Sequence, residues 1–365
     1  MSINRLYDTW YRQIAQLLAG ERITRIRNFT WLVVGIQLSR SVHLNRIAAK
    51  LPGGVRLLSW SKRLSRLVDN AALQVAPIYD PVARRWLLIA ANSLGQVRLI
   101  VDGTQIGLGY QLIMVSLAYR KRSLPIAWVW VKAKKGHSSA AVQLALLAHV
   151  QQLVPARTPV VLVGDSEFGA ISVLRQLDGW GWGYVLRQTA KHLLQTDEQA
   201  AWQAFGSLLS QPGQQVWLPE TLLTARHGYP TNLLAYWQKG ETAPWLLATN
   251  LPTARLALRA YRRRMWIEEM FGDLKAHGFD LEHTHLRSAE RLSRLTLAVV
   301  LLYLWLIFTG TQAIKNGNRQ WVDRHDRRDL SVFQIGLRWF ERLWINDRPF
   351  SVCFLPQPAF KLSGG

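Results

Sequence analysis

The stretch that decides the fold is VRLIVDGTQIGLGYQLIMVSLAYRKRSLPIAWVWV (residues 97–131), which consists of three apolar runs joined by short turns. Glycines form the first turn and basic residues the second, a pattern typical of consecutive antiparallel strands. The chain continues with a Ser-capped helical pattern in HSSAAVQLALLAHVQQL, a buried strand in PVVLVGD, a helix in EFGAISVLRQL and a strand in WGYVLRQ. This order, β-β-β-α-β-α-β, predicts an α/β fold with the mixed sheet of ribonuclease-H-like proteins.

The excess of basic over acidic residues indicates which class of partner the protein binds. The 365 residues include 45 Lys plus Arg against 23 Asp plus Glu, a formal net charge of +22. Such a surplus excludes an acidic or neutral housekeeping domain and favours a polyanion partner, most often nucleic acid. The single cysteine, Cys353, excludes a disulfide framework and fits a reducing compartment. Because the first residues also lack the apolar core of a secretory signal, we expect a cytoplasmic protein.

Changes in composition divide the chain into parts around the predicted sheet. Short basic helices precede it, polar runs punctuated by Gly and Pro interrupt it, and two helices follow. We therefore expect a helical DNA-binding region at 1–75, the first part of the ribonuclease-H-like core at 95–190, an inserted β-rich subdomain at 191–250, the last core helices at 251–314 and a basic region at 315–365.

The N-terminal region has a helix-turn-helix-like pattern. One helix precedes the Pro-Gly-Gly break at 52–54 and another follows it, carrying Arg56, Lys62, Arg63 and Arg66 beside a Leu stripe. A basic helix of this kind is either a DNA-docking element or a solvated helix face, and the segment alone does not separate the two.

One segment has the length of a membrane span. Twenty uncharged residues, LTLAVVLLYLWLIFTGTQAI, lie between Arg294 and Lys315. The segment contains Thr, Gly and Gln and continues the polar helix pattern AERLSRL. It is therefore predicted to be a buried core helix, without a membrane as partner.

Two carboxylates follow buried strands directly. Asp102 ends LIVDG and Asp165 ends VLVGD, so each is expected where an apolar strand emerges into a loop. A half-buried ionised carboxylate must be hydrogen-bonded, paired or bound to metal. Capping of the next turn is the simpler alternative.

A third carboxylate comes from helix geometry. The run LRAYRRRMWIEEMFGDLKAHG (258–278) is predicted to be one long helix ending at Gly278. At 100° per residue, four of its functional side chains fall within an arc of about 60°, whereas Glu269 points about 100° away. The four are Tyr261, Arg264, Glu268 and Lys275. An ordinary surface charge ladder has the same spacing.

Three carboxylates in a strongly basic protein suit phosphodiester cleavage. Mg²⁺ takes hard oxygen ligands, and two such ions activate the attacking oxygen and stabilise the leaving one. We expect Asp102, Asp165 and Glu268 to be both the catalytic residues and the ligands of Mg²⁺, with Mn²⁺ as a substitute. His283 and His285 in EHTHLRS suggest a transition-metal site only weakly, since no cysteine or third ligand is near.

The spacing Tyr261-x2-Arg264-x3-Glu268-x6-Lys275 resembles the Tyr-Arg-Glu-Lys signature of DDE cut-and-paste transposases of bacterial insertion sequences, in the insertion-sequence-four group. Asp102 in VDGT and Asp165 in GDSEFG resemble the two catalytic Asp residues of that family. The resemblance implies that the Tyr, Arg and Lys of the signature bind DNA phosphates near the cleaved end. Arg187, which ends WGYVLR, is implicated in the same role.

The resemblance also selects one tryptophan. Trp245 in PWLLATNLP precedes Glu268 by 23 residues and resembles the tryptophan that stacks on a flipped base in relatives that excise through a DNA hairpin. The alternative is a core residue of a strand.

The sequence thus predicts a transposase that binds terminal inverted repeats, cuts both strands and joins the ends to target DNA. Its expected partners are the double-stranded DNA of the transposon ends and of the target, and a second copy of the chain in a homodimeric synaptic complex. The alternatives are a ribonuclease-H-like nuclease without joining activity and a domesticated DNA-binding protein.

Overall fold

A computed structural model describes residues 2–107, 109–134, 136–197 and 199–354. The described chain forms two compact units. The helical unit comprises residues 2–86, 105–107, 109–110 and 270–354, and the sheet unit comprises 87–104, 111–134, 136–197 and 199–269. The last part of the predicted basic region, 355–365, lies outside the described residues.

The helices, numbered along the chain, are α1 (Ile3–Leu17), α2 (Ile23–Ser39), α3 (Leu44–Ala48), α4 (Leu57–Asp69), α5 (Val75–Leu94), α6 (Ala140–Leu153), α7 (Ile171–Gly179), α8 (Ala254–Tyr261), α9 (Met265–Leu274), α10 (Ala289–Lys315) and α11 (Val332–Ile345). The strands are β1 (Val97–Ile106), β2 (Tyr110–Tyr119), β3 (Arg122–Val131), β4 (Val160–Gly164), β5 (Gly183–Arg187), β6 (Leu193–Gln195), β7 (Gln203–Ala204), β8 (Gln215–Leu223), β9 (Tyr229–Tyr236) and β10 (Trp245–Thr249).

The strands form a large mixed sheet in the order β3-β2-β1-β4-β5-β10-β9-β8-β6-β7. β4 pairs in parallel with β1 and with β5, whereas β10 joins β5 in the antiparallel sense. β1, β2 and β4 are rich in Val, Ile and Leu and are almost wholly buried, as expected of central strands covered on both faces. The predicted mixed α/β fold and the order β-β-β-α-β-α-β are confirmed. The strands found within 191–250 continue the same sheet.

The predicted position of Asp102 at a strand end is wrong. Register pairing of β1 with β4 stops at Val101↔Gly164, but β1 itself continues to Ile106 beside β2. The apolar run of β1 ends at Val101, the residue paired with the last residue of β4. Beyond that point the Asp102 carboxylate lies beside the loop that follows β4, but the backbone of β1 is still a strand. Asp102 is therefore an interior strand residue, only 3% exposed.

The predicted single helix over 258–278 is also wrong. A 3-10 turn, Arg262–Arg264, separates α8 from α9, and α9 ends at Leu274. Within the turn the Arg263 guanidinium donates to the Arg259 carbonyl oxygen at 2.8 Å, which adds a side-chain donor to a main-chain acceptor of α8. Since a 3-10 turn advances about 120° per residue, side chains on either side of it are rotated relative to a continuous α-helix.

The helical unit is organised around α10. An 18-residue window of this helix has the length and hydropathy of a membrane span, and 83% of that window is buried. Its predicted burial as a core helix is confirmed. α10 and α11 cross closely at Gly310 and Gly336, where a Cβ would overlap backbone atoms of the other helix. The predicted helices on either side of the Pro-Gly-Gly break are α3 and α4.

Candidate active site

Asp102 and Asp165 are brought together by strand register within the sheet unit. The last matched pair of β1 and β4 is Val101↔Gly164, and Asp102 and Asp165 are the next residues along the chain. Neighbouring parallel strands lie about 4.8 Å apart, so the two Asp residues leave the paired region side by side. Asp165 caps the 3-10 turn Ser166–Phe168, with its Oδ1 accepting from the Glu167 N–H at 2.9 Å.

Asp102 is held in an electrostatically unfavourable position. Burial, and then the negative charge of Asp165, raise the pKa of the Asp102 carboxyl from 3.8 to about 7. Arg264 and the Gly103 N–H, which donates to Asp102 Oδ1 at 2.7 Å, act in the opposite direction. Burial and the charge of Asp165 together therefore outweigh the compensation that Arg264 and the Gly103 N–H provide.

Arg264 connects two of the predicted catalytic carboxylates. Its guanidinium donates to Asp102 Oδ2 at 3.1 Å and to Glu268 Oε1 at 2.5 Å. The Arg264 side chain is 13% exposed, so both ion pairs are shielded from bulk water on the arginine side. The 3-10 turn ends at Arg264, and Glu268 follows one turn later on α9. Asp102, Arg264 and Glu268 thus form one connected group.

Two further charged residues of the predicted helix have separate partners. Glu269, which is predicted to point away from the functional face, pairs with Arg122 of β3 at 2.8 Å. Lys275 belongs to the helical unit, where its ammonium pairs with Glu282 at 2.8 Å.

Aromatic residues lie beside this group. Tyr261 is 2% exposed, and within the described residues its hydroxyl has no hydrogen-bond partner. Burial raises the pKa of Tyr261 to about 12, although the charges of Arg264 and Arg187 favour ionisation. The half-buried ring of Trp245 meets the Tyr261 ring edge-on, with centroids 5.1 Å apart. Arg187 donates to the Pro244 carbonyl oxygen at 2.9 Å, next to Trp245.

Glu167 is a site residue that sequence reasoning missed. Its two carboxylate oxygens accept from Gln111 Nε2 at 3.0 and 2.8 Å, and Oε1 also accepts from the Ser138 N–H and Oγ at 2.9 and 2.5 Å. Gly103 leaves space for this network, because a Cβ there would collide with Gln111. Glu167 therefore ties the turn after Asp165 to β2 and to the segment before α6. The motif GDSEFG was the available signal.

The donor set fits a divalent cation in its chemistry. Carboxylate oxygens are the ligands Mg²⁺ prefers, and a cation would offset both causes of the raised Asp102 pKa, first burial and then the negative charge of Asp165. Between Asp102 and Glu268 the Arg264 guanidinium already supplies positive charge. Among the described residues, no three His, Cys, Asp or Glu side chains converge into a ready-made metal group.

The two histidines of EHTHLRS have other contacts, within the helical unit. His283 pairs with Asp280, and the His285 ring packs edge-on against His43 at 4.6 Å between centroids. The two side chains thus engage different partners.

A basic groove lies between the start of α2 and α4 in the helical unit. Its volume is about 520 Å³. The basic side chains that line it are Arg22, Arg25, Lys62, Arg63 and Arg66. Only Arg25 of these forms an ion pair in the described chain, with Glu21.

Comparison with known proteins identifies the family. Residues 94–305, more than half of the chain, match the family described as Transposase DDE domain, and the chain belongs to that family. It is thus a transposase-type enzyme of DNA transposition. The structure is similar to the piggyBac transposase in a cryo-EM synaptic complex with hairpin DNA, at 10% identity and a TM-score of 0.46 over 98% of this chain and 83% of that chain. No curated protein matches the chain.

Proposed function

We propose that this protein is a cut-and-paste transposase that binds the terminal inverted repeats of its own element, cleaves both strands at the ends and joins the freed 3′-hydroxyls to target DNA. The observation that carries the proposal is the adjacent register of Asp102 and Asp165, with Arg264 linking Asp102 to Glu268, inside a chain of the DDE family.

We propose Asp102, Asp165 and Glu268 as the residues that hold Mg²⁺ or Mn²⁺, which when bound would activate the attacking oxygen and stabilise the leaving one. Arg264 has donors already aimed at this group, and its link to two carboxylates gives it a position from which to hold a scissile phosphate. The unpartnered Tyr261 hydroxyl is a second donor for phosphate. Arg187 and Lys275 are proposed to bind phosphates as well.

The finer classification is also a proposal. The sheet order β3-β2-β1-β4-β5, with β1, β4 and β5 parallel, supports a ribonuclease-H-like core. The spacing of Tyr261, Arg264, Glu268 and Lys275 supports the insertion-sequence-four group. Trp245 is proposed to stack on a flipped base, since its half-buried ring lies beside Tyr261 and retains an accessible surface.

The proposed partner is double-stranded DNA, at the element ends and at the target. The formal charge of +22 and the basic groove of α2 and α4 support this partner, and we propose that residues 1–75 carry preference for the end sequence. Two ends cut in register require at least two active sites, so a homodimer on DNA is proposed. The proposed location is the bacterial cytoplasm.

The test is metal-dependent cleavage of a labelled duplex taken from the DNA that flanks the gene. Asp102→Asn, Asp165→Asn and Glu268→Gln should each abolish cleavage and leave binding intact, because an amide lacks the charge that holds the ion. Glu269→Gln is the matched control, since it is adjacent to Glu268 but pairs with Arg122. A Glu269→Gln protein as inactive as Glu268→Gln would refute the assignment. Cleavage without joining would indicate a nuclease, and binding without cleavage a domesticated DNA-binding protein.

A further inference from the structure

The helix that leads into the candidate active site carries more arginines than the site uses. Besides Arg264, a group we call the arginine row is formed by side chains of α8, of the 3-10 turn and of β1. Its members are Arg98, Arg255, Arg259, Arg262 and Arg263. All five belong to the sheet unit, and the row ends beside Arg264, which contacts Asp102 and Glu268.

Arg259 lies at the centre of the row, because two depressions share it. One is a cavity of about 170 Å³ with largely apolar walls, to which Arg98, Arg259 and Arg263 contribute the charged groups. The other is a shallow depression of about 500 Å³ lined by Arg255, Arg259 and Arg262 together with Gln215 and Leu258. The row is therefore a set of neighbouring guanidinium groups on connected concave surface.

Four members of the arginine row form no ion pair in the described chain, namely Arg98, Arg255, Arg259 and Arg262. Arg98 donates to the Gln96 side chain. Burial, and then the charge of Arg259, lower the pKa of Arg98. Mutual repulsion of this kind is relieved by an anion bound between the guanidinium groups.

The shape of the surface favours a DNA strand over a small ligand. The 170 Å³ cavity is smaller than the roughly 300 Å³ at which ligand pockets begin. The 500 Å³ depression is large enough, but three Arg and a Gln line it with a single Leu, whereas hydrophobic and aromatic side chains predominate in ligand pockets. Arg255 and Arg259 lie one turn apart on α8, about 6 Å along the helix axis, and Arg262 lies in the 3-10 turn that follows. These three exposed charges thus succeed one another along the chain segment, as phosphates do along a nucleic acid strand.

We infer that the arginine row is a phosphate-binding surface that holds the DNA backbone as it leads to the carboxylates. This inference rests on the proposed function, since it extends the DNA path of the same site. Arg259 is assigned the central contact, and Arg98 and Arg255 flank it from β1 and from the start of α8.

The experiment measures the salt dependence of DNA affinity for the full chain by fluorescence anisotropy. Each phosphate contact contributes about 0.9 to the slope of log K against log salt concentration. Arg259→Gln should therefore lower the slope by about 0.9, and the Arg255→Gln, Arg259→Gln double variant by about 1.8. At 0.15 M salt one lost contact corresponds to about fivefold weaker binding. Arg259→Lys should retain the wild-type slope.

The matched control is Arg226→Gln, which removes the same charge at the exposed turn between β8 and β9. Its slope should equal that of the wild type. Equal slopes for Arg259→Gln, the double variant and the wild type would overturn the inference, as would a complete lack of DNA binding. It would also be overturned if 10 mM inorganic phosphate stabilised the wild type but not Arg259→Gln while the DNA slopes stayed equal, since this would indicate a small-anion site.

The design separates the two proposals, because the slopes are measured on an unrelated duplex as well as on end DNA. Reduced slopes without metal-dependent cleavage would support the arginine row and refute the transposase function. Cleavage that depends on Asp102, with unchanged slopes, would support the transposase function and refute the role of the arginine row.

Discussion

Replacement of Asp102 by Asn should stabilise the metal-free protein at neutral and alkaline pH. The pKa of this carboxyl is raised from 3.8 to about 7, chiefly by burial and by the charge of Asp165. When folding raises the pKa of an acid, the group's contribution to the free energy of unfolding is fully present below its pKa in the unfolded state. That contribution is lost as pH rises through its pKa in the folded state. A shift of about three units corresponds to about 4 kcal/mol.

The size of the stability difference follows from the pH range between the two pKa values, 3.8 and about 7. Between pH 5 and pH 8 the wild type should lose about 2 to 3 kcal/mol relative to Asp102→Asn, because an amide does not titrate. Arg264 keeps Glu268 as a partner in the variant, so no buried charge is left alone. For a chain of this size the difference amounts to a few degrees of melting temperature.

The assay is thermal melting of both proteins across pH 5 to 8, in EDTA and in 10 mM MgCl₂. In EDTA the melting temperature of Asp102→Asn should exceed that of the wild type increasingly as pH rises. Mg²⁺ should stabilise the wild type at pH 8 and have little effect on the variant. Glu241→Gln, which alters an exposed carboxylate of the sheet unit, is the control and should follow the wild type. Parallel pH profiles for Asp102→Asn and the wild type would refute the argument.

Three further substitutions have defined outcomes. Tyr261→Phe should leave the melting temperature unchanged or higher, because its buried hydroxyl has no partner in the described chain, yet slow cleavage; a large loss of stability would contradict this. Glu167→Gln should weaken Mn²⁺ binding measured by electron paramagnetic resonance, since it disturbs the turn that holds Asp165, and unchanged affinity would show that the network is only structural. Trp245→Ala should preserve folding and the first nick but slow hairpin formation about five- to hundredfold if roughly 1–3 kcal/mol of stacking is lost. A drop in stability of about 3–5 kcal/mol with uniform loss of all products would indicate a core residue instead.

The sequence predicted the elements better than their junctions. The order of strands and helices followed from local periodicity, and Asp102 and Asp165 stood out because they interrupt apolar runs. Hydropathy marks only the end of the apolar residues, however, whereas the strand continues beside β2 and keeps Asp102 buried within it. The 3-10 turn was missed for a related reason: Arg262–Arg264 carry no Pro or Gly that would signal a break.

The network of Glu167 could not be predicted because it depends on distant parts of the chain. Gln111 and Ser138 lie 56 and 29 positions before Glu167. Gln111 comes near Glu167 because the strand order β2-β1-β4 places β2 one strand away from β4. The bridge from Arg264 to Asp102 is of the same kind, with 162 positions between its partners. Helical geometry predicted the pairing of Arg264 with Glu268, since they are four residues apart.

The most direct test of the account is a joining reaction with purified protein, a linear duplex carrying both element ends, a supercoiled target plasmid and Mg²⁺. We expect that the wild type inserts the 3′ ends into the plasmid, and that sequenced junctions show short direct duplications after repair. Asp165→Asn should yield no junctions while still binding the ends. Ends that are cut but never joined, or junctions formed equally well by Asp165→Asn, would contradict the central claim.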